Sequence, residues 1–268
     1  MKKFISTVCL FMGISVTGLA QQTSLGLPHA KDIQQIVQRG ELRVAICADS
    51  SVPPFIIMNG NQLSGYDADL SQVIATHLGV KLHIDQASSY DEAVSFVASD
   101  KDDIADSNLT ASYERAFSVF FTNPYYIMPL VLVAKNNFDT SNFQMAQEVI
   151  STSSSLNISA LANSSNLSYI KVAFPQAIAT PYTDLSDAVQ SVKNNEYDAI
   201  LLDKFTAQQA IFGEGSLSIF KLGPAHMDPL AIAVSVNRPQ LLMWLNAYLA
   251  SAEGQAEQTA LKRKVRLE

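Results

Sequence analysis

The chain alternates between short apolar runs and amphipathic segments, and this alternation constrains its fold more than any other feature. Residues 42–48 form a nearly continuous apolar run, which is typical of a strand covered on both faces of a sheet. Residues 67–78 carry apolar side chains at helical spacing and are followed by Gly79. Residues 80–84 alternate as a strand, and residues 90–98 are again helical. The order strand, helix, strand, helix predicts an α/β layered fold.

The same alternation returns in the second half of the chain, after a predicted strand at residues 130–134. The later pattern predicts helices at 185–192 and 206–211, strands at 197–202 and 230–236, and one or two helices at 240–263. A stretch rich in Ser and Asn at residues 151–168 indicates either a linker or a short strand leading to a polar loop. Two α/β units therefore flank a middle strand. In such sheets ligands bind beyond the carboxyl ends of the strands.

Composition narrows the class of protein. With 48% hydrophobic and only 16% charged residues, the chain has enough apolar side chains for a large core, which argues against disorder. A net charge of −7 disfavours non-specific nucleic-acid binding, and we expect no nucleic-acid partner. The two cysteines are too few for a disulfide-stapled scaffold, and the four histidines are scattered along the sequence. We therefore expect no metal and no cofactor.

The first 20 residues have the features of a cleaved export signal. Lys2 and Lys3 supply a positive start, residues 8–16 are mostly apolar, and residues 18–20 read Gly-Leu-Ala before the expected cleavage point. The apolar stretch is shorter than the roughly 20 residues that a membrane-spanning helix needs. We therefore assign residues 1–20 to a signal peptide and expect the protein in the periplasm.

Several short segments occur in an order and spacing that resemble one known family. They are residues 40–44 (GELRV), residues 53–55 (PPF), residues 63–70 (LSGYDADL), residues 112–115 (SYER), residues 121–126 (FTNPYY) and residues 196–203 (EYDAILLD). With these segments the chain resembles the bacterial extracellular solute-binding proteins of family 3, which serve ABC importers of polar amino acids. The resemblance extends over essentially the whole chain after the predicted signal peptide.

The resemblance implies a two-lobed periplasmic-binding-protein fold of type II, of class α/β, with two crossover strands joining the lobes. It places residues 21–126 and 231–268 in the first lobe and residues 127–230 in the second lobe. The lobes of such a protein close on a ligand like a trap. The implied partners are a small-molecule amino acid and a membrane ABC permease, and the protein is expected to be a monomer.

The resemblance also assigns groups that would hold the two charged ends of an α-amino acid. Arg115 matches the family's carboxylate-binding arginine, a role that suits the paired N–H donors of a guanidinium. Thr110 matches a hydroxyl donor beside it. Ser164 and Ser165 match the second-lobe pair that donates to the ligand carboxylate. Asp203 matches the carboxylate that accepts from the ligand ammonium.

Five further positions complete the site that the resemblance implies. Ser107 lies where a carbonyl or hydroxyl faces the ligand, and Asn108 next to it is included in the predicted site. Tyr90 would pack on the ligand side chain, and Asp49 would hydrogen-bond its polar end. Val52 stands where many relatives carry an aromatic ring, and its presence weakens stacking on the ligand.

The ligand's side chain and the protein's activity leave alternatives open. Asp106 stands at a strand position that is usually apolar, and with Asp49 it could favour a cationic ligand such as arginine, lysine or histidine. One alternative is a cyclohexadienyl or arogenate dehydratase-like enzyme on the same scaffold, with Asp106 or Asp228 as its general acid. Another is a ligand sensor without transport. The sequence contains no paired carboxylate motif and no nucleophile motif, so we expect a binding protein without catalytic residues.

Overall fold

The computed structural model describes residues 30–48, 52–60, 62–140 and 155–267. The predicted signal peptide and Asp49 lie outside the described residues. The helices of the described part are α1 (Lys31–Arg39), α2 (Tyr66–His77), α3 (Tyr90–Ala98), α4 (Ser165–Ala173), α5 (Leu185–Lys193), α6 (Lys204–Ala210), α7 (Pro239–Ala250) and α8 (Ala252–Lys264). None of these helices combines the length and apolarity needed to cross a membrane.

The strands of the described part form two large sheets and one hairpin. They are β1 (Glu41–Cys47), β2 (Ile57–Asn59), β3 (Gln62–Ser64), β4 (Lys81–Ala87), β5 (Ile104–Ala105), β6 (Val119–Phe121), β7 (Tyr126–Lys135), β8 (Asn157–Leu161), β9 (Ile178–Tyr182), β10 (Ala199–Asp203), β11 (Leu217–Lys221), β12 (Met227–Leu230) and β13 (Ala233–Ser235). The first sheet has the order β4-β1-β5-β13-β6, and β2 pairs with β3 outside it. The second sheet has the order β11-β7-β10-β8-β9, with β12 paired to β7.

The first sheet and its helices α1, α2, α3, α7 and α8 form what we call the first lobe. Strand β1 lies inside this sheet, parallel to β4 and β5. Its side chains alternate between the two faces, so Val44 and Ile46 pack with Ile74 of α2 while Ala45 packs with Val97 of α3. Both faces are covered by helices, which is why this strand is an almost unbroken apolar run.

The second sheet and its helices α4, α5 and α6 form the second lobe. Strand β10 runs parallel to β8 and antiparallel to β7. Leu201 of this strand faces a core shared with Ile170 of α4, and Ile200 faces a core shared with Val192 of α5. The parallel strands β8, β9 and β10 therefore point their carboxyl ends towards the same edge of the sheet.

Two antiparallel strands connect the lobes. Strands β7 and β12 pair with each other, with Tyr126 opposite Leu230 and Met128 opposite Asp228. Strand β7 continues into the second sheet, and the chain after β12 enters β13 of the first sheet. The architecture is the expected type II fold, with two lobes joined by two crossover strands. The residue boundaries expected for the lobes, at 126–127 and 230–231, stay a prediction.

The sequence pattern missed three elements of the second lobe. Helix α4 begins inside the Ser- and Asn-rich stretch, which predicted a linker or a strand followed by a polar loop. Strands β9 and β11 were also not predicted. They lie at the two edges of the sheet, where the apolar pattern is weak, and β9 contains Pro181, which an edge strand tolerates.

Candidate ligand-binding site

A cavity of about 320 Å³ lies between the two lobes. This volume is at the lower end of the range for small-molecule pockets. Most of the lining residues lie at strand ends, at helix starts or on the crossover strands. The full set is Val52, Tyr90, Asn108, Thr110, Arg115, Met128, Leu161, Ser164, Ser165, Asn166, Tyr182, Thr183, Asp184, Leu185, Leu202, Asp203, Thr206, Gln209, Asp228 and Leu230. The cavity therefore occupies the edge at which α/β sheets bind ligands.

Most of the residues expected at the site line this cavity. They are Val52, Tyr90, Asn108, Thr110, Arg115, Ser164, Ser165 and Asp203. Ser107 is not among the lining residues, because its side chain is buried and its hydroxyl accepts a hydrogen bond from the Cys47 N–H at 2.7 Å. Asp49 lies outside the described residues, and its role stays a prediction.

Arg115 supplies the cationic group of the cavity. It begins a short 3₁₀ turn, and its Nη1 donates to the Thr110 carbonyl at 3.2 Å. Its Nη2 lies 3.4 Å from Asp91 Oδ1, and its guanidinium carbon lies 6.0 Å from the centroid of the Tyr90 ring. Among the described partners these bonds engage two of the five N–H donors of the guanidinium. The remaining donors can bind a carboxylate.

Thr110 connects three parts of the molecule. Its hydroxyl donates to Asp228 Oδ2 on the crossover strand at 2.7 Å and accepts from the Ser165 hydroxyl of the second lobe at 3.0 Å. Its backbone also forms an isolated bridge with Leu230. The two lobes are thus in direct contact at the cavity, an arrangement that we call closed.

The start of α4 directs backbone donors at the cavity. Ser164 is the N-cap residue, but its hydroxyl donates to the Leu161 carbonyl at 2.6 Å and does not cap the helix. The first N–H groups of a helix have no intrahelical acceptor and attract anions. Ser165 and Asn166, at this end of α4, line the cavity on the same side as the contact to Thr110. Asn166 was not predicted from the sequence.

Three carboxylates of the described residues line the same cavity. Asp203 caps α6 by accepting from the Phe205 and Thr206 N–H groups at 2.9 and 3.0 Å. Burial raises the pKa of Asp203, and its hydrogen bonds oppose that rise. Burial also raises the pKa of Asp228 to about 6, although Thr110 and Arg115 act in the opposite direction. The third carboxylate belongs to Asp184.

Asp184 was missed by the sequence reasoning, although a signal for it exists. It caps α5 by accepting from the Ser186 and Asp187 N–H groups, and its own side chain is exposed. An Asp directly before a helical stripe is a helix N-terminal signature, and here it also follows a strand. Asp228 was considered for the enzyme alternative but not for binding, because nothing in its local sequence marks it.

Asn108 and Asp106 occupy different environments, although they are neighbours in sequence. Asn108 has a left-handed backbone with φ of 47°, and its N–H donates to Asp67 Oδ2 at 2.6 Å. Its buried Oδ1 has no hydrogen-bond partner among the described residues. Asp106 is fully buried in the first lobe, where it accepts from the Ser71 hydroxyl at 3.0 Å, and it does not line the cavity.

Two α/β lobes with a polar cavity between them define a ligand-binding protein of the periplasmic type. The family model of the bacterial extracellular solute-binding proteins, family 3, matches residues 44–266. The chain belongs to this family, as the sequence segments predicted.

Individual relatives carry the names of amino-acid-binding proteins. A probable histidine-binding protein of Campylobacter jejuni is 30% identical over 156 residues, which is 58% of this chain and 57% of that protein. The match therefore spans little more than half of that relative's length. The arginine-binding extracellular protein ArtP of Bacillus subtilis is 20% identical over 230 residues, which is 85% of this chain and 87% of that protein.

A solved structure has the same fold. The putative binding component of an ABC transporter from Wolinella succinogenes, complexed with lysine, superposes with a TM-score of 0.70 at 26% identity. The superposition covers 86% of this chain and 97% of that one. Enzymes also occur among the relatives. The membrane-bound lytic murein transglycosylase F of Pseudomonas fluorescens is 23% identical over 242 residues, which is 89% of this chain and 48% of that protein.

Proposed function

We propose that this protein captures an L-amino acid with a cationic side chain between its lobes and delivers it to an ABC permease from the periplasm. The observation that carries the proposal is the charge of the cavity, where the described residues contribute one guanidinium and three carboxylates. A cationic amino acid has one negative and two positive groups. Its charges therefore complement those of the cavity.

The α-carboxylate of the ligand is assigned to Arg115 and to the start of α4. Both elements offer N–H donors, and they approach the cavity from opposite lobes. A carboxylate bound there accepts hydrogen bonds from both lobes and so links them, beside the hydrogen bond that already joins Thr110 to Ser165. Charge-assisted hydrogen bonds of this kind are the stronger class of hydrogen bond.

The α-ammonium of the ligand is assigned to Asp203 and to the Oδ1 of Asn108. Asp203 lies at the end of β10, where its carboxylate reaches the cavity from the second lobe. The cationic side chain is then assigned to Asp228 and Asp184. Among the described residues that line the cavity, Arg115 is the only cationic side chain that could pair with these carboxylates. The relatives named as histidine-binding and arginine-binding proteins, and the related structure complexed with lysine, support this preference.

Isothermal titration with arginine, lysine, histidine and glutamine tests the proposal. Arg115→Ala is expected to weaken the binding of every amino acid by about 100-fold or more, because it removes a charge-assisted pair that is worth several kcal/mol when desolvated. Arg43→Ala is the matched control, since Arg43 pairs with Glu41 on β1 and does not line the cavity. Unchanged affinity in Arg115→Ala, or tight glutamine binding with none for arginine, contradicts the proposal.

Delivery to a permease requires a test of its own. Uptake of radiolabelled arginine is measured in cells that lack the gene and in cells that carry it again. Uptake restored by the wild-type chain but not by Arg115→Ala supports transport. A protein that binds arginine in solution without affecting uptake is better described as a sensor.

One observation favours the dehydratase-like enzyme as a second candidate. Asp228 is a buried acid in the cavity with a pKa raised to about 6, and such a group can donate a proton near neutral pH. Incubation with prephenate and arogenate, followed by ultraviolet absorbance, measures this activity. Turnover by the wild type that is lost in Asp228→Asn establishes the enzyme. An absence of turnover by the wild type rules out this second candidate function.

A further inference from the structure

A second cluster of chemically active side chains lies in the first lobe, away from the ligand cavity. It consists of His77, the last residue of α2, together with Glu253 and Glu257 of α8. One ligand atom from each of the three side chains lies within 4.8 Å of the other two. We propose that this cluster binds a divalent transition metal ion of the zinc class.

The spacing of the cluster suits such an ion. His77 Nε2 lies 2.9 Å from Glu257 Oε2 and 3.2 Å from Glu257 Oε1. In a tetrahedral zinc site with bonds of about 2.0–2.2 Å, neighbouring ligand atoms lie about 3.3–3.6 Å apart, so this hydrogen-bonded pair needs to separate by only about half an ångström. Glu253 and Glu257 are one helical turn apart and therefore project from the same side of α8.

The type of ligand atoms selects the class of metal. An imidazole nitrogen with two carboxylate oxygens suits zinc, cobalt and related ions, whereas calcium and magnesium prefer oxygen ligands alone. The side chains of His77 and Glu257 are 19% and 34% exposed, so an ion can enter and water can fill its remaining coordination positions. Three protein ligands with an open position are a known zinc arrangement.

The surroundings orient two of the three ligands. The Tyr248 hydroxyl donates to Glu257 Oε2 at 2.9 Å, and the Tyr248 ring lies 5.0 Å from the His77 ring. Trp244 stacks on Tyr248 with ring centroids 5.8 Å apart. Hydrogen bonds to a metal ligand from such outer residues hold it in position for the ion. A bound ion would tie α8 to α2 and so stabilise the packing of the C-terminal helix.

Zinc titration of the purified, untagged protein tests the proposal, since a histidine tag would itself bind the ion. We expect about one zinc ion per chain, a rise in melting temperature on adding zinc, and visible absorption when cobalt replaces zinc. The double variant Glu253→Gln with Glu257→Gln keeps the shape of both side chains. It is expected to bind zinc about 100-fold more weakly, and Tyr248→Phe about 10-fold more weakly.

His83→Gln is the matched control. His83 Nε2 lies 3.6 Å from Asp85 Oδ2, but it belongs to no three-ligand cluster among the described residues, so its loss should leave zinc binding unchanged. Arginine affinity without zinc, measured in the same variants, verifies that each one is folded and is expected to stay at the wild-type value. The proposal is overturned if the wild type binds no zinc, if the double variant binds it as well as the wild type, or if calcium displaces zinc at equal concentration.

Discussion

At the scale of single residues, the buried pair Asp67 and Asp106 connects the ligand cavity with the interior of the first lobe. Asp67 accepts from the Asn108 N–H at 2.6 Å and from the Tyr125 hydroxyl at 3.0 Å. It therefore fixes the left-handed backbone of a cavity residue and also holds the residue that precedes β7. Burial raises the pKa of Asp67 to about 7 and that of Asp106 well above its ordinary value.

The raised pKa values predict a stability that depends on pH. The folded protein keeps these protons at a pH where the unfolded chain has lost them, so stability should rise as the pH falls from 8 towards 6. Asp106→Asn should raise the melting temperature at pH 8 and flatten this dependence, because it removes a buried charge and retains the oxygen that Ser71 contacts. Thermal denaturation between pH 5 and 8.5 measures both effects.

The control for this prediction is Asp187→Asn, which changes an exposed carboxylate of the second lobe. It should leave the dependence of melting temperature on pH as in the wild type. If Asp106→Asn lowers the stability equally at pH 6 and pH 8, ionisation of the pair does not destabilise the folded protein.

Asp228 is expected to decide which amino acids bind. Asp228→Asn keeps an oxygen that can accept from Thr110 but removes the negative charge that we assign to a cationic side chain. Arginine affinity should fall about 10-fold or more, while glutamine affinity should change by only a few-fold, since a charged pair is stronger than a neutral hydrogen bond. Parallel titrations with the two ligands measure the difference. An equal loss of affinity for both ligands would show that Asp228 does not bind the cationic side chain of the ligand.

At the scale of secondary-structure elements, one glycine determines how the last two helices meet. Helix α8 begins two residues after α7 ends, and Gly254 in its first turn approaches the preceding helix closely. A Cβ at Gly254 would lie 2.0 Å from the Tyr248 carbonyl oxygen. The same junction places Ser251 as the cap of α8, where its hydroxyl accepts from the Gly254 N–H at 2.9 Å.

Gly254→Ala should therefore destabilise the protein by about 3 kcal/mol or more, because a backbone atom cannot move aside as a side chain can. Urea denaturation monitored by circular dichroism measures the loss. Gly215→Ala is the control, since a Cβ there meets nothing within 4 Å and should cost little. Similar stabilities for the two variants would mean that α7 and α8 separate easily.

At the scale of the whole molecule, a contact outside the cavity holds the lobes together. Phe205 of α6 lies 5.8 Å from Phe55 and 6.5 Å from Tyr126, measured between ring centroids. It packs against the core of the first lobe, although it belongs to a helix of the second. The closed arrangement therefore partly buries an aromatic side chain of the second lobe against the first lobe.

Phe205→Ala should weaken amino-acid binding by about 10-fold, because it removes an aromatic contact made in the closed form and not to the ligand. Small-angle scattering should show a larger radius of gyration at the same ligand concentration. Phe212→Ala is the matched control, since the Phe212 side chain is 91% exposed and lies just beyond α6. Unchanged affinity in Phe205→Ala would contradict a role in closure.

Much of this organisation could be predicted because it depends on short-range patterns. The run at β1, the helical stripes of α2 and α3, and the motif at residues 196–203 each lie within a dozen residues, and together they indicated both the fold and the family. Arg115 was predicted through the segment at residues 112–115 and Asp203 through the segment at residues 196–203, and the cavity includes both. Helix α4 was missed because its first turn is rich in Ser and Asn, whose intrinsic preference is for caps and turns.

The sequence by itself determined the two α/β lobes and the family, since apolar periodicity and local motifs act over neighbouring positions. Only the tertiary structure decided which acids reach the cavity. Asp228 lines it and Asp106 does not, although the sequence offered both as the general acid of the enzyme alternative and only Asp106 as a determinant of ligand preference. The structure likewise brought His77 to Glu257, which is 180 positions away. The environment of a charged side chain depends on contacts between distant segments, and no local pattern encodes them.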